Sequence, residues 1–235
     1  MVIVGHNCFD EGSFQAAQSA ALEWEDCNAS FRFVEIGENT GFARGNNLLI
    51  EGIETPLVAL LNPDTEPEPN WLHTLVVASK RYPDAGMFGS AQLNLRDDGV
   101  LDGAGDAYLA CGIPWRGGYG HSENILPDES EVFSPCAAAA LYRTDAFRSV
   151  GGFDENFFCY VEDVDLGFRL RLRGNRCIQI NDARVRHAGG GSSSGNGAFT
   201  RYHGTRNLVW TYVKNMPGIL FWILLPAHLF ALVVL

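Results

Sequence analysis

Apolar and polar positions follow each other in two rhythms along the first third of the chain. VIV at 2–4 is a short apolar run that predicts a strand. SFQAAQSAALEW, from Ser13, has helical composition, and Ser13 or Asp10 is placed to cap it. FRFVEI at 31–36 alternates and is rich in β-formers, which predicts a second strand. GFARGNNLLIEGI groups Leu48, Leu49, Ile50 and Ile53 as a helix would. PLVALL at 56–61 carries no charge and reads as a fully buried strand of the kind found inside parallel sheets. Asn70 is placed to cap WLHTLVVASKRY, which stops before Pro83. Strand and helix thus alternate three times, the pattern of an α/β protein with a mostly parallel sheet flanked by helices.

The rhythm changes beyond residue 85. MFGSAQLNL alternates as a strand does, and DGAGDAYLACGIPWRGGYG is a Gly-rich region with no readable period. CAAAALYR predicts a strand and TDAFRSVGG a short helix closed by glycine. DVDLGFRLRLRGN reads as a helix stopped at Gly174-Asn175, CIQI and ARVRH as two strands, and GGGSSSGNG as a flexible joint. FTRYHGTRNLVWTYVKNMP then reads as an amphipathic helix leading into GILFWILLPAHLFALVVL, apolar for 18 residues apart from one His. A membrane span takes about 20 such residues, and Pro226 divides this run. The expectation is the start of an interfacial or membrane-embedded hairpin, with a terminal core helix as the alternative. Met1 leads straight into a strand and the apolar tail ends without a polar flank, so the chain reads as a fragment at both ends.

Composition narrows the function classes. The 235 residues are 46% hydrophobic and 19% charged, enough for a sizeable core. A formal net charge of -11 with no basic run longer than RLR argues against a nucleic-acid partner. An acidic protein still takes an anionic substrate if a divalent cation sits between them. Cys8, Cys27, Cys111, Cys136, Cys159 and Cys177 form no CxxC and no zinc spacing, so they read as small core residues in a reducing compartment.

Three constellations carry chemistry. In LNPDTEPEP, Asp64 falls at the carboxyl end of a strand, where open α/β sheets bind ligands. Pro63 stiffens the approach, and a carboxylate there suits a hard cation such as Mg²⁺; Asn-Pro-Asp is equally ordinary turn chemistry. In FFCYVEDVDLGFRLRLRG, Glu162 and Asp163 sit beside aromatic residues at a helix start. Partial burial there raises a carboxyl toward the range of a general base, although acids at the start and bases at the end also suit the helix dipole. In VRHAGGGSSSG, His187 ends a strand, where a neutral imidazole could ligate a metal or simply face solvent.

ENTGFARGNN, ALLNPDTEPEPNWL, VGGFDENFFCYVEDVDLGFRLRLRGN, ARVRHAGGGSS and RYHGTRNLVWTYVKNMP follow one another in order. Together they resemble the family 2 glycosyltransferases, and within them the rhamnosyltransferase-like branch, over about residues 2 to 217. The resemblance implies a GT-A fold, a nucleotide-binding α/β half joined to an acceptor half. It implies inverting transfer of a sugar from a nucleotide-diphosphate sugar to a polysaccharide or lipid-linked acceptor, assisted by Mg²⁺ or Mn²⁺. Asn62-Pro63-Asp64 stands where the family often has Asp-x-Asp, which makes Asn62 and Asp64 donor-site residues and Asp64 a metal ligand. Asp163 matches the general base, Glu162 a residue that helps place the acceptor, and His187 a position near the metal and diphosphate. Asn39, Gly41, Arg44 and Asn46 match the segment that lines the nucleotide pocket.

Two departures accompany the resemblance. The family's opening strand, turn and helix are absent before HNCFDEGS, and His6 stands where the family often has an Asp that contacts base or ribose. A non-catalytic nucleotide- or sugar-binding module of the same fold is therefore the alternative, with a nucleotidyltransferase on a similar sheet behind it. The reading divides the chain into a glycosyltransferase domain over 1–198 and a membrane-associated segment over 199–235. Arg201, Arg206 and Lys214 beside the apolar stretch place the enzyme at the cytoplasmic face of the cell membrane.

Overall fold

The computed structural model describes residues 1–7, 11–24, 30–189 and 197–234. Cys8, Asp10, Cys27 and most of the predicted Gly/Ser joint lie outside the described residues. The chain divides into two compact units, Met1–Ile53 with Phe153–Cys159, and Glu54–Gly152 with Tyr160–Leu235.

In the first unit, β1 (Val2–His6) and β2 (Phe31–Glu35) pair in parallel across the helix α1 (Glu11–Trp24). His6 is buried, with Phe14 and Phe33 against its ring at 5.5 and 6.2 Å between centroids. α2 (Gly41–Ile50) starts where Asn7 accepts from the Thr40 N–H at 3.0 Å and donates to the Gly41 carbonyl at 2.9 Å. Gly41 adopts φ +78°, and a Cβ there would meet the Phe158 carbonyl oxygen at 2.6 Å. That close approach lets the Ala43 N–H bond the same carbonyl at 3.1 Å, so glycine is required at this position.

The second unit is built on a seven-stranded sheet in the order β3 (Leu57–Leu61), β10 (Ala139–Arg143), β5 (Ala85–Asn94), β11 (Arg176–His187), β4 (Thr65–Pro67). β6 (Leu101–Gly103) adds to β5, and β9 (Glu129–Val132) adds to β11. Among the described residues of this sheet, only β5 and β11 pair in parallel; β10 runs antiparallel to both β3 and β5. The sheet is mixed, which corrects the expectation of a mostly parallel one, because β10 inserts between two strands that a βαβ reading would make neighbours. β3 alternates between buried and part-exposed positions, so PLVALL is not buried on both faces. CIQI and ARVRH are one strand, β11, whose register shifts between Ile180 and Arg184. The Gly-rich region holds a hairpin of β7 (Asp106–Tyr108) and β8 (Pro114–Arg116).

α3 (Trp71–Arg81) covers this sheet with Trp71, Leu75 and Ala78, which pack on Phe88, Leu141, Ile178, Ile180 and Val185. Full burial of one such aliphatic side chain contributes about 1.5–3 kcal/mol. Trp71 also donates from Nε1 to Ser90 at 2.7 Å, so its polar edge is satisfied. Asn70 does precede the helix, but its side chain makes no capping bond. The short helix α4 (Thr144–Ser149) leads to α5 (Glu162–Leu172), which Gly174 ends at φ +84°.

α6 (Gly197–Asn215) and α7 (Gly218–Val234) complete the unit. The buried stripe of α6 is polar: Asn207, Thr211 and Asn215 with Tyr212. Asn207 donates to the Tyr160 carbonyl at 2.7 Å, and Asn215 to the Asp165 carboxylate at 2.7 Å. α7 is one helix that runs through Pro226. It docks through the buried His228, stacked on Tyr212 at 4.0 Å between centroids and bonded through Nδ1 to the Cys111 carbonyl at 2.8 Å. No helix among the described residues is long and apolar enough to cross a membrane.

Candidate functional site

Asp64 sits at the turn between β3 and β4. The Asn62 N–H donates to the Ala138 carbonyl at 2.8 Å, and the Thr65 N–H closes the turn on the Asn62 carbonyl at 3.1 Å. β4 then pairs with the end of β11, setting Thr65 opposite His187. The Ala188 N–H bonds the Asp64 carbonyl at 3.0 Å. Backbone pairing thus presents both side chains together, with Asp64 Oδ1 3.5 Å from His187 Nε2. The Asp64 side chain is 23% exposed, so it keeps access to solvent and ligand.

The other ring nitrogen of His187, Nδ1, lies 2.7 Å from Asp102 Oδ2. An ionised carboxylate only accepts, so Nδ1 donates. Arg116 Nη2 reaches the same oxygen at 3.2 Å and also donates to Gln92 at 2.8 Å and to Cys136 Sγ at 2.9 Å. Burial by itself raises the Asp102 carboxyl, yet the His187 bond and the Arg116 charge hold it below its ordinary value. Burial disfavours the charge of Arg116, but Cys136, Asp102, Asp106 and Asp163 around it more than offset that.

The Glu-Asp doublet begins α5. Tyr160 and Val161, just before it, adopt φ +68° and +67°. Left-handed backbone at a β-branched residue costs about 1–3 kcal/mol and persists where surrounding bonds impose it, commonly at functional sites. Here Asn207 of α6 holds the Tyr160 carbonyl. Asp163 accepts from the Ala137 N–H at 3.1 Å and from the Val164 N–H at 2.9 Å. Burial raises its carboxyl above the ordinary value although both N–H groups oppose this. Glu162 is buried with Oε2 unbonded, and burial together with the charges of Asp163 and Asp165 holds it well above the usual carboxylate range. Asp165, two residues on, is wholly buried and tied to Arg169, Lys214 and Asn215, which fixes the helix in place.

Two adjacent alanines join these parts. Ala138 accepts from Asn62 at the Asp64 corner, and Ala137 donates to Asp163. Asp64, Glu162, Asp163 and His187 therefore belong to one part of the second unit. Asn39, Gly41, Arg44, Asn46 and His6 belong to the first unit, where their bonds serve local structure. Asn39 accepts from the Gly41 N–H at 3.0 Å, Asn46 donates to the Phe42 carbonyl at 2.9 Å, and Arg44 lies 3.9 Å from Glu155.

Sequence reasoning missed Asp102, Asp106, Gln92 and Arg116. The signal was available: two acids and an arginine are the charged residues of the Gly-rich stretch 102–120. Asp106 is buried on β7, opposite Arg116 in register. Its carboxyl is pushed up to about 8, by burial first and by the charge of Asp163 second. The ordinary value is 3.8, so between that pH and about 8 the folded protein holds a proton that the unfolded chain has lost. The stability this gives is full below 3.8 and is lost as pH rises through about 8. Asp106→Asn is expected to flatten that decline, read as urea midpoints from about pH 4 to about pH 9; an unchanged pH slope would contradict it.

As a donor set, Asp64 and His187 offer one carboxylate oxygen and one imidazole nitrogen. Two donors each about 2.1 Å from a shared ion lie about 3–4 Å apart, which the observed separation meets. No group of three or more His, Cys, Asp or Glu side chains that could hold a metal occurs among the described residues. Phosphate and water oxygens would therefore complete the shell of any ion held here.

No family model matches the sequence. The chain is 30% identical over 202 residues to N-acetylglucosaminyl-diphospho-decaprenol L-rhamnosyltransferase of Mycobacterium tuberculosis, a match that covers 76% of this chain. The chain spans 64% of the length of that relative. Its fold is similar to GalNAc-T7, solved with UDP, GalNAc and Mn²⁺, at a TM-score of 0.67 and 11% identity, covering 90% of this chain and 41% of that one. It is similar also to the mannosyltransferase PcManGT of Pyrobaculum calidifontis, solved with GDP-Man and Mn²⁺, at a TM-score of 0.60 and 18% identity, covering 91% and 54%. In sequence and fold alike, the chain is a rhamnosyltransferase-like relative of the family 2 glycosyltransferases with a GT-A fold.

Proposed function

We propose that the protein is an inverting glycosyltransferase that moves a sugar, rhamnose by similarity to the mycobacterial relative, from a nucleotide-diphosphate donor to a lipid-linked acceptor. The observation that carries this reading is the Ala137-Ala138 junction, which holds the Asp64 corner and the Asp163 carboxylate on neighbouring residues. Asp163 takes the proton of the acceptor hydroxyl as that oxygen attacks the anomeric carbon. Its raised proton affinity suits a general base near neutral pH. Glu162, buried with a free oxygen, holds the acceptor by hydrogen bonding. Asp64 and His187 hold Mg²⁺ or Mn²⁺, which when bound offsets the negative charge growing on the leaving diphosphate. Asn62 lies at the same corner as Asp64. We assign Asn39, Gly41, Arg44, Asn46 and His6 to the nucleoside end of the donor on the family resemblance. The test is transfer of labelled rhamnose from its nucleotide diphosphate to a polyprenyl-diphosphate N-acetylglucosamine, with Mn²⁺ or EDTA. Metal-dependent transfer with an inverted anomeric centre is expected; nucleotide binding without transfer would favour the non-catalytic module.

α7 gives the acceptor reading a second support. Ile219, Trp222, Ile223, Phe230 and Val233 are all exposed on one helix, an apolar surface suited to a lipid interface. Of the cations beside it, Lys214 is paired with Asp165, and Arg206 lies over the ring of Trp210 at 4.2 Å, whereas Arg201 is exposed to meet anionic headgroups on the cytoplasmic side. The protein is expected to float with vesicles containing anionic lipid, and Trp222→Glu with Phe230→Glu to leave it at the bottom of the gradient. Equal flotation of the two would contradict this placement.

A further inference from the structure

We infer that Asp102 is a positioning residue for the proposed cation site: its carboxylate takes the Nδ1–H of His187 and so turns the Nε2 lone pair toward Asp64. The inference rests on the cation reading of Asp64 and His187. Asp102 lies on β6 and His187 ends β11, and both strands pair with the last residues of β5. Sheet register therefore brings together two side chains that are 85 residues apart in sequence. Both are buried, so the bond between them is shielded from water.

The carboxylate is itself held by two groups. His187 Nδ1 and Arg116 Nη2 converge on Oδ2 at 2.7 and 3.2 Å. Arg116 is fixed in turn by Gln92 and Cys136. Its stem passes over Gly103, where a Cβ would meet Nε at 2.4 Å, so the residue after Asp102 must be glycine for the arginine to reach. A carboxylate behind a ligating histidine selects the tautomer and the ring orientation, and removing such a partner typically weakens metal affinity about 10- to 100-fold.

Two measurements on the whole chain test this. In ¹⁵N-histidine-labelled protein, with His187 assigned by His187→Gln, long-range ¹H–¹⁵N correlations are expected to show the ring protonated on Nδ1. Protonation on Nε2 alone would overturn the inference without need of a variant. Mn²⁺ alone is then titrated by electron paramagnetic resonance. The native protein is expected to bind, and Asp102→Ala to bind about 10- to 100-fold more weakly, with loss of the Nδ1-protonated signature. Native binding with equal binding by a folded Asp102→Ala overturns the role of Asp102 and spares the cation site. No Mn²⁺ binding by the native protein overturns the cation reading and the inference with it.

Discussion

Asp163→Asn is expected to lower kcat for sugar transfer by about 10²–10⁴-fold, the range a positioned general base supplies, and to leave nucleotide binding within about twofold. The change is nearly isosteric. The amide oxygen can still accept one of the two N–H groups, from Ala137 or Val164, that now bond the carboxylate. Leaving the other N–H without an acceptor costs about 1–3 kcal/mol, which the removal of a buried acid with raised proton affinity partly offsets. Fold loss therefore does not explain a rate loss of that size. The pH profile gives a second readout. The native rate rises with pH as the elevated carboxyl of Asp163 ionises, and the variant lacks that acidic limb. Measured kcat above a tenth of the native value, with the acidic limb intact, would exclude Asp163 as the base.

Asp64→Ala is expected to abolish stimulation by Mn²⁺ and to lower transfer by about 10²–10⁴-fold, the equivalent of several kcal/mol of charge stabilisation. EDTA on the native protein is expected to match it. The corner should survive the substitution, because the bond to the Ala188 N–H uses the Asp64 carbonyl and the turn closes between Asn62 and Thr65. Thermal unfolding is therefore expected to move little, and metal titration separates this variant from a misfolded one. A folded Asp64→Ala protein that Mn²⁺ still activates would remove the cation from the account.

The parts of this site that a sequence shows are those with local signatures. Asp64 ends an uncharged run at a proline corner, and Glu162-Asp163 opens a helix beside aromatics, so neighbours within a few residues reveal both. Asp102 and Arg116 show in the sequence only as isolated charges in a Gly-rich stretch. Their meaning comes from contacts distant in sequence: His187 meets Asp102 because β11 and β6 both pair with β5, and Arg116 on β8 reaches Gln92 of β5. Strand direction failed for a related reason: an apolar run records that a strand is covered, not which neighbour it pairs with, and β10 took the place between β3 and β5. β11 looked like two strands because Asn181-Asp182 interrupts the apolar pattern where the register shifts. α6 reversed the usual expectation. Its Asn207, Thr211 and Asn215 point inward because a strained carbonyl at Tyr160 and a buried carboxylate at Asp165 need donors there.

The most direct test is an anomalous-scattering map from a crystal soaked in Mn²⁺. The account predicts a peak within about 2.0–2.3 Å of Asp64 Oδ1 and His187 Nε2, the range for oxygen and imidazole donors. A fully occupied peak elsewhere in the chain, with no density between those two side chains, would contradict it.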